Sequence, residues 1–102
     1  MNLIDTVLAI EEWSAERGIP DHATPESQML KTMEEVGELA DAIGKQDLDE
    51  VMDAIGDIVV TLIIQCQLQG CYFDACVSGA YDVISKRKGK MVNGIFVKEE
   101  SK

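Results

Sequence analysis

The chain has 102 residues, 46% of them hydrophobic, and a formal net charge of −10. That size suits one domain, expected over 1–102, and that apolar content argues against a disordered chain. The negative charge disfavours a nucleic-acid polymer as partner, since like charges repel. Three cysteines, Cys66, Cys71 and Cys76, and one histidine, His22, make a poor zinc set: the count is odd and no CxxC occurs. Free thiols in a reducing cytoplasm are the plain reading. Asp5 interrupts the N-terminal apolar pattern, so no secretory signal is expected. The longest apolar run, 58–64, is too short to span a membrane.

Residues 2–17 read as a first helix, with Asn2 or Asp5 as cap and Leu3, Ile4, Val7, Leu8, Ile10 and Trp13 recurring at helical period. Gly18 ends it, and 19–24 read as a loop carrying Pro20 and His22. Thr24-Pro25-Glu26 opens a second helix with a hydroxyl cap, a proline in the first turn and an acid at the positive end of the helix dipole. It runs to about Ile43, with Met29, Met33, Val36, Leu39, Ala40 and Ile43 as its expected apolar face; Gln28 and Lys31 lie to one side and read as solvated. Asp47-Leu48-Asp49-Glu50 resembles a capping box and starts a third helix that Gly70 stops. Residues 73–88 read as a fourth, with Ala75, Val77, Ala80, Tyr81, Val83 and Ile84 as packing positions. Beyond Gly89, Asn93-Gly94 between short apolar stretches signals a hairpin that needs support from the helices.

The chemistry concentrates in the two central helices. Glu50, Asp53 and Asp57 share one stripe of a helix whose other positions are nearly all apolar, and such a helix is expected to be buried. Buried carboxylates are costly without compensation, and a divalent cation is the simplest source of it. Glu34, Glu35 and Glu38 form a second acidic group on the preceding helix, with Lys31 within one turn of Glu34 and Glu35. Either cluster alone also fits a solvated face; together they point to one shared metal site. Lys86, Arg87, Lys88 and Lys90 hold four of the nine positive charges, either balancing a helix C-terminus or clamping phosphate oxygens. Trp13 is either core or a platform for a nucleobase, and His22 reads as a surface residue.

Glu34-Glu35-Val36-Gly37-Glu38, followed by Asp53-Ala54-Ile55-Gly56-Asp57 running into an apolar helix, resembles the MazG family of nucleoside triphosphate pyrophosphohydrolases. The motif resemblance covers roughly 25–69, and the tail from Arg87 to Lys98 is similar to the short single-domain branch found in phages and mobile cassettes. Glu50-Val51-Met52-Asp53 satisfies ExxD literally, whereas the step into the apolar run aligns Asp57 with the motif aspartate and puts Ala54 at the motif glutamate. The resemblance implies an all-α four-helix bundle with a short C-terminal hairpin or extended tail, working as a dimer or dimer of dimers. It implies Mg²⁺, with Mn²⁺ as substitute, held by Glu35, Glu38, Asp53 and Asp57. Glu34 and Glu50 would be further ligands or proton acceptors, and Lys31, Lys86, Arg87, Lys88, Lys90 and Trp13 would meet the substrate. The implied reaction hydrolyses a (deoxy)nucleoside triphosphate between its α and β phosphates. A non-catalytic helical binding module and an oligomer joined by metal are the competing readings.

Overall fold

A computed structural model describes residues 1–99. The far end of the domain expected over 1–102 therefore lies outside the described residues. The elements are α1 (Leu3–Glu16), α2 (Ile19–His22), α3 (Pro25–Gly44), α4 (Leu48–Gln69), α5 (Phe73–Ile84), β1 (Gly89–Val92) and β2 (Ile95–Lys98). The fold is all-α with a small hairpin, as the sequence implies.

Local chemistry fixes most boundaries. The Asn2 side chain accepts from the Asp5 N–H at 2.8 Å and caps α1. Thr24 and Ser27 form a reciprocal capping box, each side chain accepting the other's N–H at 3.0 Å. Asp47 caps α4 by accepting from the Glu50 N–H at 3.1 Å. Gly70, at φ 74°, closes α4 in the left-handed conformation that glycine tolerates best.

Two boundaries differ from the sequence reading. The 19–24 segment is not all loop: Pro20 presets a helical φ near the start of a single turn, α2. The last helix stops at Ile84 rather than Lys88: the Lys86 and Arg87 N–H groups tighten into a turn on Val83 O and Ile84 O, and Lys88 O accepts from Glu99 N–H of the hairpin at 2.7 Å. Gly89 opens β1, and a Cβ there would collide with the Val97 carbonyl and the Phe96 ring. Asn93 and Gly94 both have positive φ, as a two-residue hairpin turn requires. All eight strand residues are exposed, so the ribbon lacks the helical cover expected for it.

The largest revision concerns which faces point inward. The buried stripe of α3 is Gln28, Thr32, Glu35 and Ala42, with Leu39 half-buried beside them. The expected apolar face lies roughly 100° around the helix. It is exposed, Met33 at 58% and Ile43 at 60%. Polar residues occupy the seam because they are satisfied there. Gln28 Nε2 donates to Thr61 O at 3.0 Å, so Gln28 is buried rather than solvated. Thr61 Oγ1 donates to Ile58 O at 2.7 Å and accepts from Thr32 Oγ1 at 3.0 Å. Two more glutamines bridge helices: Gln65 Nε2 to Pro25 O and Gln67 Nε2 to Glu11 O, both at 3.0 Å.

Helix α4 is central but not buried all round. Ala54, Thr61, Ile63, Ile64 and Cys66 are buried, while Met52, Ile55 and Leu62 are exposed because one chain supplies too few helices to cover them. The same shortage exposes Leu3, Ile4, Leu8 and Trp13 on α1 and every α5 position after Phe73, including all six expected packing residues. By length and composition α4 is apolar enough to cross a membrane, more so than the 58–64 run suggests. Its seam with α3 and the Asp53 and Asp57 carboxylates instead fit a core helix.

Gln28→Ala is expected to lower unfolding free energy by about 1–2 kcal/mol, since it removes a buried inter-helix hydrogen bond. Urea unfolding should show a lower midpoint at unchanged slope. Gln69→Ala, whose bond to Gln65 is exposed, should change stability by less than ~0.5 kcal/mol.

Candidate metal-binding acidic cleft

The seam sets the geometry of the acids. With Gln28, Thr32 and Ala42 facing α4, the stripe of Glu34, Glu38, Asp41 and Lys45 lies roughly 100° around α3, opposite in sense to the exposed apolar stripe. Ala42 and Ala54 keep the helices close where the acids of α4 begin. The result is a cleft of about 370 Å³ lined by Glu38, Asp41, Lys45, Glu50, Asp53, Ala54 and Asp57. Glu38, Glu50, Asp53 and Asp57 thus line one cleft across two helices, whereas Glu34 and Glu35 are not part of its lining. Glu34, Glu35 and Glu38 can also bring carboxylate oxygens within 4.8 Å of one another, so Glu38 belongs to both groups.

Sequence reasoning missed Asp41 and Lys45. Their signal was available, since they follow Glu38 by three and seven residues and share its helical stripe. Lys45 reaches Glu50 at 3.6 Å across the α3–α4 turn. Lys31, within one turn of Glu34 and Glu35 in the sequence, lies 3.6 Å from the first and 3.5 Å from the second.

Seven acids (Glu34, Glu35, Glu38, Asp41, Glu50, Asp53, Asp57) therefore face two cations, Lys31 and Lys45. The strain appears in protonation. Glu38 is held above the ordinary carboxylate value by a shared hydrogen bond with Glu35, reinforced by the Glu35 charge. Lys31 is held above its ordinary value, chiefly by the charge of Glu34. Glu35 Oε2 is buried and has no hydrogen-bond partner among the described residues. A buried acceptor without a donor, inside an all-oxygen donor set, fits a hard divalent cation.

Other predicted residues lie elsewhere. Lys86, Arg87 and Lys88 occupy the turn after α5, Lys90 lies on β1, all are exposed, and none lines the acidic cleft. Trp13 is 44% exposed, with the Arg17 guanidinium 5.4 Å from its ring centroid, and does not line the cleft. His22 is exposed, its Nδ1 2.8 Å from Gly18 O. A second, apolar groove runs between α1 and α4; it is lined by Val7, Ile10, Met52 and Val60, among others, and shares Asp53 and Asp57 with the cleft.

The class the structure defines is an all-α chain with acids from two adjacent helices lining one cleft. The chain belongs to the MazG nucleotide pyrophosphohydrolase family, whose domain model matches residues 23–92 and so contains the whole cleft. An "Uncharacterized 18.2 kDa protein in rep-hol intergenic region" of Haemophilus phage HP1 (strain HP1c1) is 40% identical over 55 residues. That match takes in 54% of this chain but spans only 34% of the phage protein. No solved structure matches the chain.

The protonation of Glu38 has a measurable consequence. Its carboxyl is raised, so the folded chain holds this proton more tightly than the unfolded chain. Its contribution to stability is therefore present at low pH and lost as pH rises through the raised value. With divalent cations chelated, the melting temperature should fall with rising pH in the window above 4.5. Glu38→Gln should flatten that dependence in thermal melts across the same window.

Proposed function

We propose that the protein is a divalent-cation-dependent hydrolase that splits a (deoxy)nucleoside triphosphate into the monophosphate and pyrophosphate. The observation supporting this reading is the convergence of Glu38, Glu50, Asp53 and Asp57 on one cleft within the segment that matches the family. Glu35, Glu38, Asp53 and Asp57 would hold Mg²⁺, with Mn²⁺ as substitute. When bound, the cation offsets carboxylate repulsion, polarises phosphoryl oxygens and lowers the pKa of water.

The chain's own residues carry the remaining work. Glu50 lies 3.6 Å from Lys45 and Glu34 lies 3.6 Å from Lys31, and both are exposed carboxylates able to accept a proton. One of them takes the proton of the attacking water. The groove between α1 and α4 abuts Asp53 and Asp57, and its apolar wall suits a nucleobase better than Trp13 does. Lys86, Arg87, Lys88 and Lys90 steady phosphate oxygens. Because they do not line this chain's own cleft, they act from a neighbouring copy.

Assembly as a dimer, or dimer of dimers, follows from the exposed stripe of Met29, Met33, Val36, Ala40 and Ile43. Apolar surface of that extent on a small helical chain marks an interface. The role is nucleotide house-cleaning or pool control in the cytoplasm.

A panel of (d)NTPs with Mg²⁺ should yield pyrophosphate rather than orthophosphate, and chelation should abolish it. Asp57→Ala should lower turnover by about 10²-fold or more, as loss of direct charge stabilisation usually does. Turnover persisting in Asp57→Ala with chelator present overturns the reading. Cation-dependent melting without any turnover would favour the oligomer joined by metal.

Met33→Glu places a charge on the exposed stripe and should reduce the mass measured by light scattering to that of a smaller assembly. Turnover should fall with it, since the basic residues would be lost from the cleft they serve.

A further inference from the structure

The three cysteines come from three different pieces of chain, and the end of α4 gathers them. Cys66 lies in the last turns of α4. Gly70 then reverses the chain, and the Cys71 N–H returns to Cys66 O at 3.0 Å. Cys76 follows in the first turn of α5, its N–H donating to Tyr72 O at 3.1 Å. All three are free thiols. Cys66 and Cys76 sulfurs are 3.9 Å apart, Cys71 and Cys76 sulfurs 4.0 Å, and the three lie within 4.8 Å of one another. This clustering was not legible from the spacing, which lacks CxxC.

Those separations match a common ion. With a metal–sulfur bond of about 2.3 Å, three sulfurs in a trigonal plane sit about 4.0 Å apart. We propose that Cys66, Cys71 and Cys76 bind one thiophilic d¹⁰ cation, Cu⁺ or Zn²⁺, as a three-thiolate site at the α4–α5 junction. Binding forms three metal–sulfur bonds and releases the thiol protons to solvent. Three sulfurs complete the coordination of Cu⁺, whereas Zn²⁺ takes a water as its fourth ligand. Because the thiols give up protons on binding, the cation binds more tightly as pH rises.

The site is separate from the acidic cleft. Cys66 lies nine residues beyond Asp57 on the same helix, about 13 Å of rise. Softness sorts the ions: carboxylates take hard cations and thiolates soft ones. The site also has a mechanical consequence. Because α5 is exposed after Phe73, an ion held by Cys66, Cys71 and Cys76 pins its first turn to α4.

The test uses the full-length chain, reduced and anaerobic, with excess Mg²⁺ present. It is titrated with Co²⁺ as the spectroscopic probe of the Zn²⁺ site and with Cu⁺ against a chromophoric chelator. The expected result is one equivalent bound, with a thiolate-to-cobalt charge-transfer band that Zn²⁺ displaces. Cys71→Ser and Cys76→Ser should each weaken binding by more than the roughly 10–100-fold typical of losing an outer-sphere partner. Both residues are exposed, so the helical circular dichroism should be kept. Asp53→Asn should leave the band intact. Stoichiometric binding of Cu⁺ alone, or of Co²⁺ and Zn²⁺ alone, supports the site and assigns its ion. Absence of stoichiometric binding by either class, or binding that both serine variants leave unchanged, overturns the proposal.

Discussion

The structure depends on a polar seam between α3 and α4. Gln28, Thr32 and Thr61 form directional hydrogen bonds there, and Ala42 and Ala54 let the backbones approach. An apolar seam would tolerate small slips, because dispersion is non-directional. Hydrogen bonds do not: a shift by one residue would strand buried polar groups. The seam therefore fixes rotation and register together. Fixing both is what brings the Glu38 side of α3 opposite the Asp53 and Asp57 side of α4.

Once α3 is locked in this rotation, its remaining surface divides in two. One flank carries acids into the cleft; the other turns methionines and aliphatics outward. The acidic flank carries an electrostatic cost in the protein alone, visible in the raised carboxyl of Glu38 and in the unpartnered oxygen of Glu35. Such crowding is better explained by a ligand than by stability, since two lysines cannot balance seven acids. The outward apolar flank is the matching sign of incompleteness, and the two flanks lie on opposite sides of the same seam.

Much of this was legible from residue order. Asn2, Thr24, Asp47 and Gly70 mark helix ends through side-chain capping or left-handed geometry, and both operate within a few residues. The Asn93-Gly94 turn is equally local. The acids at Glu38, Asp53 and Asp57 were legible because helical periodicity converts spacing into a shared face. What escaped was the orientation of α3. Its apolar stripe had the period of a buried face, yet a competing stripe of Gln28, Thr32 and Ala42 is inside. Choosing between them requires knowing that Thr61, twenty-nine residues beyond Thr32, offers partners. Burial around α4 was overread for a related reason: a greasy helix needs neighbours, and one chain supplies too few. The cysteine cluster was missed because it depends on a chain reversal at Gly70 rather than on spacing.

Helices α3 and α4 are joined by only Lys45, Gln46 and Asp47, with Gln46 in the left-handed region at φ 56°. A tether this short keeps the two halves of the acidic motif at high mutual concentration from the moment they are made. Helical hairpins with such local contacts are the fastest topologies to assemble, typically in about microseconds to milliseconds. The hairpin of α3 and α4 thereby brings its acids together through local contacts alone, ahead of the longer closure that joins Gln67 to Glu11 on α1.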